Sequence, residues 1–173
     1  MKKLMGAAIA LGMASSAFAA ASFEYGSIWF FPRYDANYNQ EDFTGQGQTF
    51  AANWDLDNDL IVGVYSEGTQ LVEVDDGYTY AFNVTALNIS KGVMKNASVG
   101  LHLGNFYEDY NGTSGILTDL FGSVTLMSGG ADKVTGSLKA TFGGRFARDN
   151  YDVGSYYADY SGYFASLGVA VTL

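Results

Sequence analysis

The last eleven residues of the chain alternate between two kinds of side chain. Apolar residues occupy every second position from Tyr163 to Leu173, and the positions between them are mostly small or polar. A period of two residues predicts a β-strand with one apolar face. Terminal residues of soluble domains usually fray. An alternation that reaches the final residue therefore favours a strand held on both sides, in a sheet that closes on itself.

Similar alternation recurs along the chain. Glycine and aromatic residues are abundant, with 22 Gly, 13 Tyr and 12 Phe against a single proline, and this composition favours an all-β chain. Five of the eight strands that we predict are long enough for a strand that crosses a bilayer, which takes about 9 to 11 residues within the lipid. The predicted bounds are 23–34, 46–55, 59–67, 78–90, 96–107, 115–128, 134–147 and 157–173.

In four of these strands the alternation also predicts which residues face outwards. We expect the apolar set to face outwards and the polar set to face the lumen. The first strand, around Pro32, does not distinguish its faces. The predicted outward sets are Tyr80, Phe82, Val84 and Ala86 in strand four; Val99, Leu101 and Leu103 in strand five; Leu120, Gly122, Val124 and Leu126 in strand six; and Leu138, Ala140, Phe142, Gly144 and Phe146 in strand seven.

The first twenty residues have the three parts of a secretory signal peptide. Lys2 and Lys3 form a positive segment, Leu4 to Met13 form a short apolar core, and Ala17-Phe18-Ala19 is a small-residue cleavage site. A membrane-spanning helix would need roughly 18 to 20 apolar residues. We expect residues 1–20 to be a signal peptide, with cleavage after Ala19 or Ala20, and residues 21–173 to be one barrel domain.

Composition excludes several functions. The chain has 18 acidic and 9 basic residues, a net charge of −9, so it has no electrostatic route to nucleic acid. There is no cysteine and only one histidine, His102, so a Cys-rich or multi-His metal site is impossible. No cofactor is expected.

The predicted connections alternate between short and long. Three are short turns, at Leu56 to Asn58, Lys91 to Lys95 and Gly129 to Lys133, and four are longer, at 35–45, 68–77, 108–114 and 148–156. A membrane barrel that starts in the periplasm has this order. Acidic residues and tyrosines gather at the long connections, which predicts an aromatic girdle at one membrane interface. Its members would include Tyr34, Tyr78, Tyr80, Tyr107 and Tyr157, together with Phe43 and Phe106.

The chain from residue 21 onwards resembles the small eight-stranded outer-membrane barrels, the OmpA membrane domain, OmpX and related families. Its final strand is similar to their C-terminal assembly signal at Tyr163, Leu167, Val169 and Val171, although Leu173 stands where that signal usually has Phe. The stretch from Phe50 to Tyr65 also resembles the YfaZ family of outer-membrane proteins. The resemblance implies an all-β, eight-stranded antiparallel up-and-down transmembrane β-barrel in a bacterial outer membrane.

The interior of such a barrel is about filled by side chains, so inward polar groups must pair with one another or with water. Rough hairpin registers place His102 near Asp119, with Lys139 and Arg145 diagonally placed. We therefore predict a lumen cluster of His102, Asp119, Lys139 and Arg145. This cluster is either a structural plug or a gate whose charges re-pair to admit ions, and we favour the plug.

Other chemistry fits the residues poorly. Some outer-membrane barrels are lipid A deacylases, in which a Ser follows the catalytic His by two residues, but this chain has Gly104 there. The Asp-rich stretch from Asp55 to Asp59 lacks the later Gly and Glu of a calcium loop and suits a tight turn. Four N-x-S/T triplets are treated as incidental, and Asn83 in one of them is expected to face the lumen.

These observations predict a non-enzymatic integral outer-membrane protein with a structural, adhesion or surface-contact role. Its expected partners are the bilayer, anionic outer-leaflet lipids and the outer-membrane assembly machinery, and a monomer is expected. Two alternatives stay open. One is a soluble lipocalin-like barrel that binds a small apolar ligand, and the other is a narrow passive pore.

Overall fold

The computed structural model describes residues 20–36, 39–75, 77–109, 112–131, 134–149 and 159–173. The predicted signal segment lies outside this part of the chain, apart from Ala20. Eight strands are formed by the described residues: β1 (Ala20–Ala36), β2 (Asn39–Asp55), β3 (Leu60–Glu73), β4 (Thr79–Met94), β5 (Ala97–Glu108), β6 (Ser114–Ala131), β7 (Val134–Asp149) and β8 (Gly162–Thr172). None of the helices in the described part is long and apolar enough to cross a membrane.

Each strand pairs antiparallel with its neighbours in the chain, and β8 pairs with β1 to close the barrel. Closure leaves no unpaired edge strand, so the backbone groups of every strand are hydrogen-bonded on both sides. This architecture confirms the predicted all-β, eight-stranded, up-and-down barrel. Both the first and the last described residues lie at one end, because Leu173 donates a backbone hydrogen bond to Ala21.

We call this the terminal end. It also carries the connections after β2, β4 and β6, and the other connections lie at the opposite end. The expected long connection at 35–45 is wrong, because β1 continues to Ala36, which pairs with Asn39. The connection expected at 68–77 is also shorter, because β3 continues to Glu73. Polar residues in both segments suggested loops, but the ladder hydrogen bonds come from the backbone and do not require apolar side chains.

The outward faces of β5, β6, β7 and β8 agree with the alternation. Leu101, Leu120 and Phe142 are exposed on the outer surface, and His102 and Asp119 are buried inside. The structure also distinguishes the faces of β1. Its outward aromatic residues are Phe23, Tyr25, Trp29 and Phe31, and its buried inward residues include Ile28 and Phe30.

The predicted faces of β4 are reversed. Phe82, Val84 and Ala86 are buried inside the barrel, whereas Asn83 and Thr85 are exposed on the outer surface. In the half of the barrel nearer the opposite end, the lumen is filled by apolar side chains. The more apolar face of β4 therefore points inwards there. Asn83 therefore does not face the lumen, contrary to expectation.

Polar residues of four neighbouring strands form one patch on the outer surface. Gln46 pairs with Gln70 across β2 and β3, Ser66 pairs with Thr85 across β3 and β4, and Thr85 pairs with Asn105 across β4 and β5. All of these side chains are exposed. We call this surface the amide patch, and its members are Gln46, Gln48, Ser66, Gln70, Asn83, Thr85 and Asn105.

Candidate functional site

The middle of the lumen is occupied by Arg145, whose side chain is fully buried. Its guanidinium donates from Nη1 to Glu67 Oε1 at 2.8 Å and from Nη2 to Glu67 Oε2 at 2.7 Å. It also donates from Nε to Asp119 Oδ1 at 2.8 Å and from Nη2 to Asp119 Oδ2 at 2.9 Å. Two planar carboxylates thus share one guanidinium, a geometry that Lys could not reproduce.

Asp119 also pairs with the only histidine. Asp119 Oδ2 lies 3.0 Å from His102 Nδ1, and the two residues face each other across β5 and β6 as the hairpin register predicted. The imidazole is stacked on Tyr65 with 4.0 Å between ring centroids, and Phe121 lies 4.5 Å away on the same measure. These rings hold the imidazole in place without offering it a second charged partner.

Two hydroxyl groups complete the hydrogen bonds of Glu67. Tyr65 donates to Oε2 at 2.8 Å, and Thr69 donates to Oε1 at 2.6 Å. Tyr65, Glu67 and Thr69 all project inwards from β3, because they lie two residues apart. We call His102, Asp119, Arg145, Glu67, Tyr65 and Thr69 the ion network. Both oxygens of Glu67 and Asp119 Oδ2 have two hydrogen-bond partners each, and Asp119 Oδ1 accepts one hydrogen bond from Arg145. Both buried carboxylates are thus fully paired, as buried charges require.

Aromatic rings cover Arg145 on the side that faces the opposite end. Its Cζ lies 4.7 Å from the centroid of Phe30 and 5.9 Å from that of Phe82, within the range of cation–π attraction. Phe82 packs against Phe106 at 5.1 Å, and both rings pack against Tyr160. We call Phe30, Phe82, Phe106 and Tyr160 the aromatic layer. All four residues are buried. Because Phe30 and Phe82 lie against Arg145, the aromatic layer and the ion network are adjacent layers along the lumen.

Lys139 does not join this network. It lies in the lumen nearer the terminal end, and its Nζ contacts Glu24 Oε1. Asn53 Nδ2 donates to the same Glu24 oxygen at 3.2 Å, and Asn88 Nδ2 donates to Asn53 Oδ1 at 2.7 Å. The expected cluster is therefore divided. His102, Asp119 and Arg145 come together, while Lys139 belongs to a separate polar chain.

Arg145 lies directly opposite Asp119 in the β6–β7 register, and not diagonally as expected. Glu67, the other partner of Arg145, was missed because the contact crosses the lumen between strands that are not neighbours. One signal could have found it. In Tyr65-Ser66-Glu67-Gly68-Thr69-Gln70-Leu71, the acidic residue shares its alternate positions with apolar and aromatic residues.

The predicted girdle residues separate into two groups. Tyr78 is 62% exposed and Tyr107 is 49% exposed, both near the opposite end. Tyr80 instead faces the lumen, donates to Glu73 Oε2 at 3.2 Å and packs against Phe43. Placing Tyr80 in the girdle was wrong, and so was placing the buried Phe43 and Phe106 there. The side chain of Tyr34 and all of Tyr157 lie outside the described part of the chain.

The terminal half of the lumen is partly open. A vestibule of about 720 Å³ at the terminal end leads towards a chamber of about 70 Å³. Within the residues described, no group of acidic residues and histidine could hold a metal ion. No described serine donates a hydrogen bond to His102, whose Nδ1 is taken by Asp119. The network can hold the strands together and block the lumen, but it lacks a positioned nucleophile.

The barrel is similar to solved structures of small outer-membrane barrels. One is Ail, the attachment invasion locus protein of Yersinia pestis, in complex with sucrose octasulfate, with a TM-score of 0.56, 10% identity, and coverage of 89% of this chain and 98% of that one. Another is the outer membrane protein OprG from Pseudomonas aeruginosa, with a TM-score of 0.51, 9% identity, and coverage of 90% and 97%. No family model and no curated protein sequence matches the chain. At these identities the likeness shows the fold alone: the chain folds as a small eight-stranded barrel of the kind found in outer-membrane proteins.

Proposed function

We propose that this chain is an integral protein of a bacterial outer membrane, with a closed lumen and a structural or surface-contact role. One observation carries the proposal: large apolar side chains face outwards around the barrel, while a buried ion network lies inside. Water-soluble proteins rarely expose a continuous apolar surface of this extent. In a bilayer the same surface is favourable, because the tails of the lipids are apolar.

The apolar belt surrounds the half of the barrel nearer the terminal end. It includes Tyr25 on β1, Val64 on β3, Ile89 on β4, Leu101 on β5 and Val169 on β8. The outward charged side chains in the described strands lie near strand ends instead: Arg33, Asp42, Lys91 and Arg148. A lipocalin-like barrel would have the reverse arrangement, with an apolar cavity and a charged surface. The belt therefore favours the membrane protein over the soluble alternative.

The packing of side chains in the lumen favours a closed barrel over a pore. The ion network and the aromatic layer are both buried. The network joins β3, β5, β6 and β7, and the aromatic layer joins β1, β4 and β5 with Tyr160. Opening a path would require breaking the four hydrogen bonds of Arg145 to carboxylates and moving several rings. We infer that the network acts as a plug. We also propose a non-enzymatic role, since in the described part of the chain His102 pairs with Asp119 and no serine hydrogen-bonds to it.

The partners in this proposal follow from the surface. Tyr78 and Tyr107 would contact headgroups at the outer interface, where the ring meets lipid and the hydroxyl meets water. Acidic connections at the opposite end would meet anionic outer-leaflet lipids through divalent cations. The alternating outward residues of β8 would be the segment that the assembly machinery recognises. An adhesion role has only the fold of an attachment protein in its favour.

Fractionation tests the membrane location. The full-length protein, expressed with its own signal segment in a Gram-negative host, should appear in the outer-membrane fraction and require detergent for extraction. Its unheated form should migrate differently from its boiled form on a gel, because a closed barrel resists the detergent. Recovery in the aqueous fraction without detergent, with no change in migration on boiling, would refute the proposal.

Planar-bilayer recordings test the closed lumen. The wild-type protein should show no conductance steps, and Asp119→Ala should show none either, because the aromatic layer still fills the lumen. Asp75→Ala, which removes an exposed carboxylate from the β3–β4 connection, is the matched control. Regular steps in the wild-type protein would establish the passive pore, and steps that appear only in Asp119→Ala would establish the gate.

A further inference from the structure

The apolar belt is not equally tall around the barrel. On β4, only Leu87 and Ile89 face outwards between Lys91 and the amide patch, which begins at Thr85. A strand that crosses the hydrocarbon takes about 9 to 11 residues, or about five outward positions. The belt therefore falls short at β4. On β7 it has the full height, because five outward positions precede the outward charge of Arg148: Leu138, Ala140, Phe142, Gly144 and Phe146.

The amide patch lies at the same level as aromatic residues on the other side of the barrel. Consecutive rings of the aromatic layer lie 5.1 to 5.7 Å apart, so they define one level of the lumen. Successive residues of a strand point to opposite faces, and the chain neighbours of a ring in this layer therefore face outwards at its level. Trp29 and Phe31 are these neighbours on β1, whereas Asn83 on β4 and Asn105 on β5 occupy the same level across the barrel.

Tilting the barrel does not remove this mismatch. Raising the β4 side until the amide patch leaves the hydrocarbon would draw Lys91 and the turn Asp57–Asp59 into it from the terminal end. Charged side chains on the lipid face are destabilising. An upright barrel instead keeps the amides in the outer part of the hydrocarbon, where lipid tails cannot satisfy their hydrogen bonds. The amide patch therefore needs a polar neighbour at this depth.

The chemistry of the amide patch suits a second copy of itself. None of its seven members is charged, so two such patches would not repel each other. A side-chain amide offers both donors and an acceptor, and it can therefore pair with an identical amide. Gly68 lies between Gln48 and Asn83 in the middle of the patch. Among the described residues, a Cβ built on Gly68 would have only Asn83 Oδ1 within 4 Å, at 3.6 Å, so another chain can approach the backbone closely there.

We propose that the amide patch is the interface between two copies of this barrel, related by a two-fold axis along the membrane normal. Such an axis places the same surface of both copies face to face, so the amides of one copy donate to and accept from those of the other. Leu87 and Ile89 continue the contact towards the terminal end, and β7, β8 and β1 keep their contact with lipid. The inference rests on the proposed membrane location, and it makes the protein a dimer, whereas the sequence led us to expect a monomer.

Disulfide cross-linking in intact membranes tests the dimer. The chain has no cysteine, so a single introduced cysteine can link only to its own copy in a partner barrel or to another protein. Ser66→Cys, Asn83→Cys and Thr85→Cys, one at a time, sample the patch, and Gly144→Cys on the outward face of β7 is the matched control. The full-length variants are expressed in the outer membrane of a Gram-negative host and oxidised. At least one patch cysteine should give a reducible product of twice the monomer mass, and Gly144→Cys should give none.

A second set of variants tests whether the amides hold the interface. Asn83→Leu with Asn105→Leu, added to the best cross-linking variant, should lower the linked fraction about tenfold, because a symmetric interface loses each amide twice. Phe146→Leu, on the lipid side of β7, should leave that fraction unchanged.

Three results would overturn the dimer in a protein that still migrates differently before and after boiling. They are no linked product from any patch cysteine, equal linking of Gly144→Cys, and a linked product of another mass, which would identify a different protein as the partner. Failure of the proposed function is distinguishable, because the wild-type protein would then lie in the aqueous fraction and show no change in migration on boiling.

Discussion

Glu67 of β3 and Arg145 of β7 form a two-pronged ion pair across the barrel lumen, although they lie 78 positions apart in the chain. Both side chains have no exposed surface. The pair joins two strands that are not neighbours in the sheet. It therefore links β3 and β7 across the lumen. Its contribution to the free energy of unfolding can be measured separately from that of the backbone hydrogen bonds between neighbouring strands.

Removing one member of this pair should be costly. Glu67→Ala leaves the guanidinium with an incomplete set of acceptors in a buried site, and such losses typically cost about 3 to 5 kcal/mol. The free energy of unfolding in lipid vesicles, from urea titration, measures the effect. Asp75→Ala, which removes an exposed carboxylate, should change it by less than about 0.5 kcal/mol.

The double variant separates pairing from packing. Glu67→Met with Arg145→Met removes both charges and keeps much of the side-chain volume, so it should lose less stability than Arg145→Met alone. Arg145→Met alone leaves Glu67 and Asp119 buried close together without their shared cation. If the double variant were as unstable as the sum of the two singles, the direct pairing would not be the source of the stability.

Lys139 should matter much less than Arg145. Its ion pair with Glu24 is partly open to solvent, with side chains 27% and 29% exposed. Pairs of this kind contribute about 0 to 1 kcal/mol and weaken with salt. Lys139→Met should therefore lower the free energy of unfolding by about 1 kcal/mol or less, and less still in 1 M salt. A loss as large as that of Arg145→Met would place Lys139 in the ion network after all.

Arginine substitutions at two outward positions of β4 should show which part of this strand faces lipid. Leu87 lies in the apolar belt and Asn83 in the amide patch, both facing outwards. An arginine that faces the bilayer midplane costs about 2 to 4 kcal/mol and one near an interface about 0 to 1. Leu87→Arg should thus be strongly destabilising in vesicles and Asn83→Arg nearly neutral. Equal effects would contradict the membrane boundary between them.

At Gly104, which faces inwards, the backbone of β4 lies too close to leave room for a Cβ. A Cβ built on Gly104 would lie 2.1 Å from the carbonyl oxygen of Thr85 and 2.5 Å from Cα of Ala86. Gly104→Ala must displace backbone and should cost about 1 to 3 kcal/mol, as overpacking does. Gly144 faces outwards with nothing within 4 Å of such a Cβ. Gly144→Ala should leave the yield of folded, heat-shifted barrel unchanged, and a matched loss in both variants would rule out the steric explanation.

Local patterns predicted much of the barrel. The alternation in β5 to β8 gave the correct outward faces, because the side chains of a strand have only two directions available. The facing of His102 and Asp119 also followed from the sequence, since they lie on consecutive antiparallel strands whose register is set by the alternating pattern and the connection between them.

Other features needed the closed barrel. Alternation divides the residues of β4 into two sets but does not say which set is inside. The structure places Phe82 and Val84 inwards because the aromatic layer fills that half of the lumen, while Asn83 and Thr85 join the amide patch outside. Sequence reasoning assumed that every apolar face meets lipid, and that assumption fails where the interior itself is apolar.

The sequence by itself determined the strand pattern, the fold class and the local pairing of His102 with Asp119. Only the tertiary structure decided that Arg145 lies between Asp119 and Glu67, and that Lys139 pairs with Glu24. Each of these contacts depends on the interior of a closed barrel. Closure brings side chains of distant strands into one small volume, where every buried charge must find a partner that no local pattern specifies.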